Sequence, residues 1–246
     1  YFQIVKCFRD EDLRADRQPE FTQIDIEMSF VDENDVFFHM EGLTRHIFKS
    51  VQNIDLPDPF LRLTYTEAME TYGSDKPDLR YEMKLKDVKE FTDVSEFNAF
   101  KSVEVVKGLV VEGGAKYSRK VIDDLTNHVK KYKAKGLVWM KAEDGVFTGG
   151  ISKFFSDELQ QSMFEKLMMN HGDILFMIGD NISIALNALG QLRVDIARRE
   201  KLFSNDQFIP VWITEFPMFD YDDEKERFIA MHHPFTAPRD GDVEKL

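Results

Sequence analysis

Cysteine is almost missing from this chain: one residue, Cys7, in 246. A single thiol excludes an internal disulfide and fits a reducing compartment. Long apolar runs are missing too. None approaches the roughly 20 residues that span a bilayer, and the opening Tyr1-Phe2-Gln3-Ile4-Val5 reads as a strand rather than a signal peptide. Positive charge is in deficit. Lys and Arg number 32 against 45 Asp and Glu, a formal net charge of -13. That argues against a general nucleic-acid binder, which carries a basic footprint, and leaves room only for a local basic patch. No internal repeat or low-complexity segment stands out. What remains is 43% apolar and 31% charged, with 22 Phe, a composition that suits a globular protein with a sizeable core. The length holds one large domain or two ordinary ones.

The first informative pattern is alternation. Over 21–30, Phe21, Gln23, Asp25, Glu27 and Ser29 fall on one side, and Thr22, Ile24, Ile26, Met28 and Phe30 on the other. Period two with one polar face predicts a half-buried strand. Residues 1–9 also suit a strand, with Cys7 and Arg9 on a shared side, and Glu11 too if the strand continues. The charged stretch 12–19, with Pro19, makes the turn. The pair predicts an antiparallel hairpin with an arginine-rich tip. Asp32 or Asn34 opens a helix carrying Met40, Leu43, Ile47, Phe48 and Val51, which ends before Pro57 and Pro59. Thr64 and Glu67 have capping-box spacing for a short helix through Tyr72 that closes at Gly73. From 103 to 201 strands and helices alternate. The predicted strands are 103–112, 137–141 and 173–178. The predicted helices run over 121–132, from Ser156 towards Gly172, and over 181–201. This implies a compact layered domain. A strand signal returns over 208–216, followed by an acidic loop and Met231-His232-His233-Pro234-Phe235-Thr236.

Phe8–Glu27, with its Arg-Ala-Asp-Arg-Gln-Pro-Glu-Phe-Thr-Gln-Ile-Asp string, resembles motif 2 of the bacterial-type aspartyl-tRNA synthetases. Lysine and asparagine enzymes share the Phe-Arg and Glu-Phe positions but not this string. Thr64-Tyr65 with Glu67-Ala68-Met69, Tyr72–Arg80, Phe216-Pro217-Met218-Phe219 and Met231–Ala237 extend the resemblance across the chain. It implies an α+β fold: part of the antiparallel-sheet class II catalytic core at 1–79 and 205–246. An inserted α/β-layered domain of the GAD type would lie at 80–204. It also implies that this is an internal fragment, with the family's anticodon-binding barrel and motif 1 before Tyr1 and motif 3 after Leu246.

The implied reaction is ATP-dependent activation of L-aspartate, then transfer to tRNA(Asp). The resemblance makes Arg9 the catalytic arginine bridging the α-phosphate and the substrate carboxylate. It places Asp10, Glu11, Gln18 and Phe21 around ATP, and Gln23, Asp25, His232 and His233 around aspartate. Arg14 and Arg17 would meet the tRNA acceptor end. Magnesium is implied with ATP, its ligands lying outside this chain, and no metal ligand is named within it. Adjacent histidines lack metal-pair spacing. A homodimer, a cytoplasmic location and no membrane complete the expectation. Blander readings stand beside these. Arg9 could be a surface arginine paired with Asp10 or Asp12. Glu11 could be a solvated turn carboxylate, and Arg14 and Arg17 a loop of internal ion pairs. Phe21 as a core aromatic is harder to sustain, because it shares its side with Gln23, Asp25 and Glu27. Two other functions compete: a non-catalytic tRNA-binding or regulatory module, and a synthetase-like ligase that works without tRNA.

Overall fold

The computed structural model describes residues 1–10, 17–222, 225–231, 237–238 and 240–245. The chain forms two compact units, Tyr1–Pro59 and Phe60–Leu246.

In the first unit, strands β1 (Phe2–Phe8) and β2 (Glu20–Ile26) pair antiparallel, with Gln3 opposite Asp25, Val5 opposite Gln23 and Cys7 opposite Phe21. The ladder extends one step further, where the Arg9 amide donates to the Pro19 carbonyl at 2.9 Å. The strand expected over 21–30 stops at Ile26, so Glu27 and Ser29 are not strand residues. The chain turns away through Phe30, which sits at φ +59°. The two faces also differ from the expectation of an apolar inner side. The polar side, with Gln3, Gln23 and Asp25, is half-buried, whereas Phe2, Ile4 and Phe8 on the other side are more than 70% exposed. Helix α1 (Glu33–Gln52) starts at Asp32, whose carboxylate accepts from the amides of Asn34 and Asp35 while Asp35 accepts from the Asp32 amide. These bonds satisfy helix donors that would otherwise lack partners. Asn53 ends it in the left-handed region.

The second unit begins with β3 (Leu61–Thr64) and α2 (Tyr65–Tyr72). The capping box expected at Thr64 is present: Thr64 Oγ1 accepts from the Glu67 amide at 3.1 Å, and Glu67 Oε2 accepts from the Thr64 amide at 2.8 Å. Then come β4 (Leu85–Asp87), α3 (Lys89–Val94), β5 (Val105–Val111), α4 (Arg119–Lys130), β6 (Val138–Glu143) and β7 (Val146–Thr148). They are followed by α5 (Asp157–Leu167), β8 (Ile174–Asp180) and α6 (Ile182–Glu200), and last by β9 (Val211–Thr214), β10 (Phe219–Asp222) and β11 (Arg227–Ala230).

Five of these strands form one sheet in the order β4-β5-β8-β6-β7, antiparallel at every step. The central β8 reads Ile174-Leu175-Phe176-Met177-Ile178, without polar alternation, because both of its faces are covered. Ile174, Phe176 and Ile178 pack with Leu125, Val129, Leu189 and Ile196 of α4 and α6. Leu175 and Met177 pack with Val88, Phe91, Met140, Met163 and Leu167 on the opposite side. β10 and β11 make a separate antiparallel hairpin. The 208–216 signal resolves into the four-residue β9, which pairs parallel with β3. The fold is therefore mixed α/β with mainly antiparallel sheets, and the sheets of the described residues form no closed barrel.

Candidate active site on the first hairpin

The β1–β2 ladder decides which predicted residues meet. Side chains two apart share a face, and the register brings Gln3, Val5 and Cys7 of β1 against Asp25, Gln23 and Phe21 of β2. Arg9 continues that side, its guanidinium carbon 5.4 Å from the centre of the Phe21 ring. Gln23 Nε2 reaches Asp25 Oδ1 at 3.4 Å, and Gln3 Nε2 reaches Asp25 Oδ2 at 2.9 Å. Two further contacts orient the amides. The Tyr1 hydroxyl donates to Gln3 Oε1 at 3.0 Å, and the Cys7 thiol to Gln23 Oε1 at 3.5 Å. The result is one continuous polar face, with a cation and an aromatic ring at one end and an amide-held carboxylate at the other.

Asp10, Arg17 and Gln18 are exposed at the tip end of the hairpin. Glu11, Arg14, His232 and His233 lie outside the described residues. Gln3 was not singled out from the sequence, although counting back by twos from Cys7 reaches it. Asp25 and Gln23 at the same end of the face were expected from the resemblance, and only their partner on β1 was missed.

Two concavities among the described residues lie away from this face and are less directed. One of about 510 Å³ in the second unit mixes Glu82, Glu112 and Glu200 with Lys84 and Lys86. One of about 430 Å³ in the first unit is lined by Arg45 and Lys49. Those two cations are paired with Asp58 and Asp55. Among the described residues no three His, Cys, Asp or Glu side chains gather into a group that could hold a metal ion. No described residue is therefore assigned to one. No helix among them is long and apolar enough to cross a membrane.

An aromatic, an arginine and a fixed carboxylate on one antiparallel hairpin fit a site for a nucleotide and an amino acid. The chain belongs to the family described as tRNA synthetases class II (D, K and N), which it matches over residues 1–246. It is 51% identical over 251 aligned residues to an aspartate–tRNA(Asp/Asn) ligase of Persephonella marina, covering all of this chain and 42% of that protein. It is 49% identical to a ligase of the same name from Desulfatibacillum aliphaticivorans, again covering 42% of it. It is 48% identical to an aspartate–tRNA ligase of Staphylococcus carnosus, covering 43% of that protein. The chain thus spans well under half the length of these relatives.

Proposed function

We propose that this chain carries the ATP- and aspartate-facing hairpin of an aspartate–tRNA ligase. In the first step an aspartate carboxylate oxygen attacks the α-phosphorus of ATP, the bond to pyrophosphate breaks, and aspartyl-adenylate forms. In the second, a hydroxyl at the tRNA(Asp) 3′ end takes the aspartyl group and AMP leaves. Neither step needs a protein nucleophile. Catalysis then rests on positioning and on stabilising charge at phosphorus.

The observation that carries this reading is the shared face of Arg9, Phe21, Gln23 and Asp25. Arginine's planar fork suits a bridge between phosphate and carboxylate, which is the role proposed for Arg9. Phe21 would stack on adenine beneath it, with Asp10, Glu11 and Gln18 completing the ATP side. Asp25 would receive the ammonium of aspartate, supported by Gln23, and His232 and His233 would close near its side chain. Arg14 and Arg17 would meet the tRNA acceptor end.

Segments 1–79 and 205–246 would belong to the catalytic core, and 80–204 to an inserted domain. Magnesium would accompany ATP. The working protein would be a cytoplasmic homodimer. Relatives named aspartate–tRNA ligase and aspartate–tRNA(Asp/Asn) ligase stand at nearly equal identity, 48% and 51%, so the proposal is confined to tRNA(Asp).

Arg9→Ala in the full-length ligase should cut aspartate-dependent pyrophosphate exchange by on the order of 100-fold or more. Exchange near the wild-type rate would overturn the assignment.

A further inference from the structure

We propose that Gln3 is a positioning residue: it holds the Asp25 carboxylate in the orientation that receives the substrate ammonium. The inference rests on the role proposed above for Asp25 and adds a residue to it.

Gln3 stands directly across the ladder from Asp25, and its Nε2 lies 2.9 Å from Asp25 Oδ2. This is the shorter of the two bonds that Asp25 accepts, the other coming from Gln23 at 3.4 Å. An amide can point either way, and here the direction is decided locally. Gln3 Oε1 accepts from the Tyr1 hydroxyl at 3.0 Å, which turns the amino end towards Asp25.

The chemistry of these donors separates this arrangement from an ordinary structural ion pair. An ionised carboxylate offers about four acceptor directions. Two are filled by neutral amides, and among the described residues Asp25 forms no ion pair. A lysine or arginine at position 3 would hold the carboxylate equally well but would cancel its charge. The amides fix its geometry and leave its charge for a cation. A carboxylate fixed before binding does not lose its own freedom when the cation arrives.

The test is made in the full-length ligase with Gln3→Met, which keeps the length and packing of the side chain and removes both amide functions. The KM for aspartate in pyrophosphate exchange should rise about tenfold, the loss of one hydrogen bond to a charged group. The KM for ATP and the melting temperature should stay near wild type. In an Asp25→Asn background the same substitution should add little, because the two residues act as a pair. Equal rises in both KM values, or a fallen melting temperature, would make Gln3 a structural residue and overturn the inference. An unchanged aspartate KM in Gln3→Met with a raised one in Asp25→Asn would also overturn it. An unchanged aspartate KM in Asp25→Asn itself would instead remove the role proposed for Asp25.

Discussion

At the scale of single residues, the most consequential side chain away from the hairpin is Arg193 of α6. It is 1% exposed. Its partners are backbone carbonyls: Nε donates to Met83 at 2.8 Å, and Nη2 lies 2.8 Å from Asp78 and Tyr81 and 3.1 Å from Glu82. The rings of Tyr81 and Tyr72 flank it at 4.1 and 4.9 Å. Burial pushes its pKa down, and the nearby tyrosines and acids oppose that shift. One guanidinium therefore gathers four carbonyls of the irregular segment 78–83, among them that of the buried Tyr81, which would otherwise lose its partner. Arg193→Met should lower the unfolding free energy by about 3 kcal/mol in chemical denaturation. Arg193→Lys should not restore it, because an ammonium cannot reproduce the fork. Near-wild-type stability in Arg193→Met would show that the carbonyls find other partners. Nearby, the Arg80 guanidinium binds both oxygens of Asp78, at 2.9 and 2.7 Å, and holds that carboxyl below the usual aspartate range.

At the scale of elements, two glycines decide how α2 meets α6. Gly73 closes α2 at φ +67°, and a Cβ there would lie 2.2 Å from the Leu186 carbonyl oxygen. A Cβ on Gly190 would lie 2.3 Å from the carbonyl oxygen of Gly73. Both obstacles are backbone and cannot rotate away. Gly42 of α1 offers the contrast, since nothing stands within 4 Å of its added Cβ. Thermal unfolding should therefore show opposite signs: Gly190→Ala destabilising by about 2 kcal/mol, Gly42→Ala stabilising by about 0.5–1 kcal/mol. A neutral Gly190→Ala would mean that the two helices can separate at little cost. The element boundaries also show what a sequence carries. Asp32, Thr64, Ser118, Ser156 and Asn181 each cap a helix. Caps act within three residues, so Asp32, Thr64 and Ser156 are legible as helix starts in the string, whereas the helix expected over 121–132 begins earlier, at a Ser118 cap that was not expected. The α5 helix ends five residues before the expected Gly172, because Met168 takes the left-handed position itself. A non-glycine in that role leaves no signal in composition.

At the scale of the whole molecule, the hairpin carries the proposed site on one side and leaves Phe2, Ile4 and Phe8 exposed on its other side. A two-stranded sheet alone is marginal, and the chain spans about 42% of its relatives' length. Residues 1–246 by themselves should therefore show no pyrophosphate exchange above background, and measurable turnover would place a complete site within them. Alternation, capping and helical period, all local properties, determined from the sequence that a polar-faced hairpin opens the chain and that strands and helices alternate over 103–201. The Phe8–Glu27 stretch, with its string from Arg14 to Asp25, pointed to the family that the whole chain matches. Tertiary structure alone decided that Leu63 and Ile213, far apart in the chain, meet in a parallel pair. It also decided that β8 lies at the centre of its sheet, and that Gln3 rather than a cation faces Asp25. Those outcomes depend on register and on pairing across long loops, where the energy lies in which segments meet.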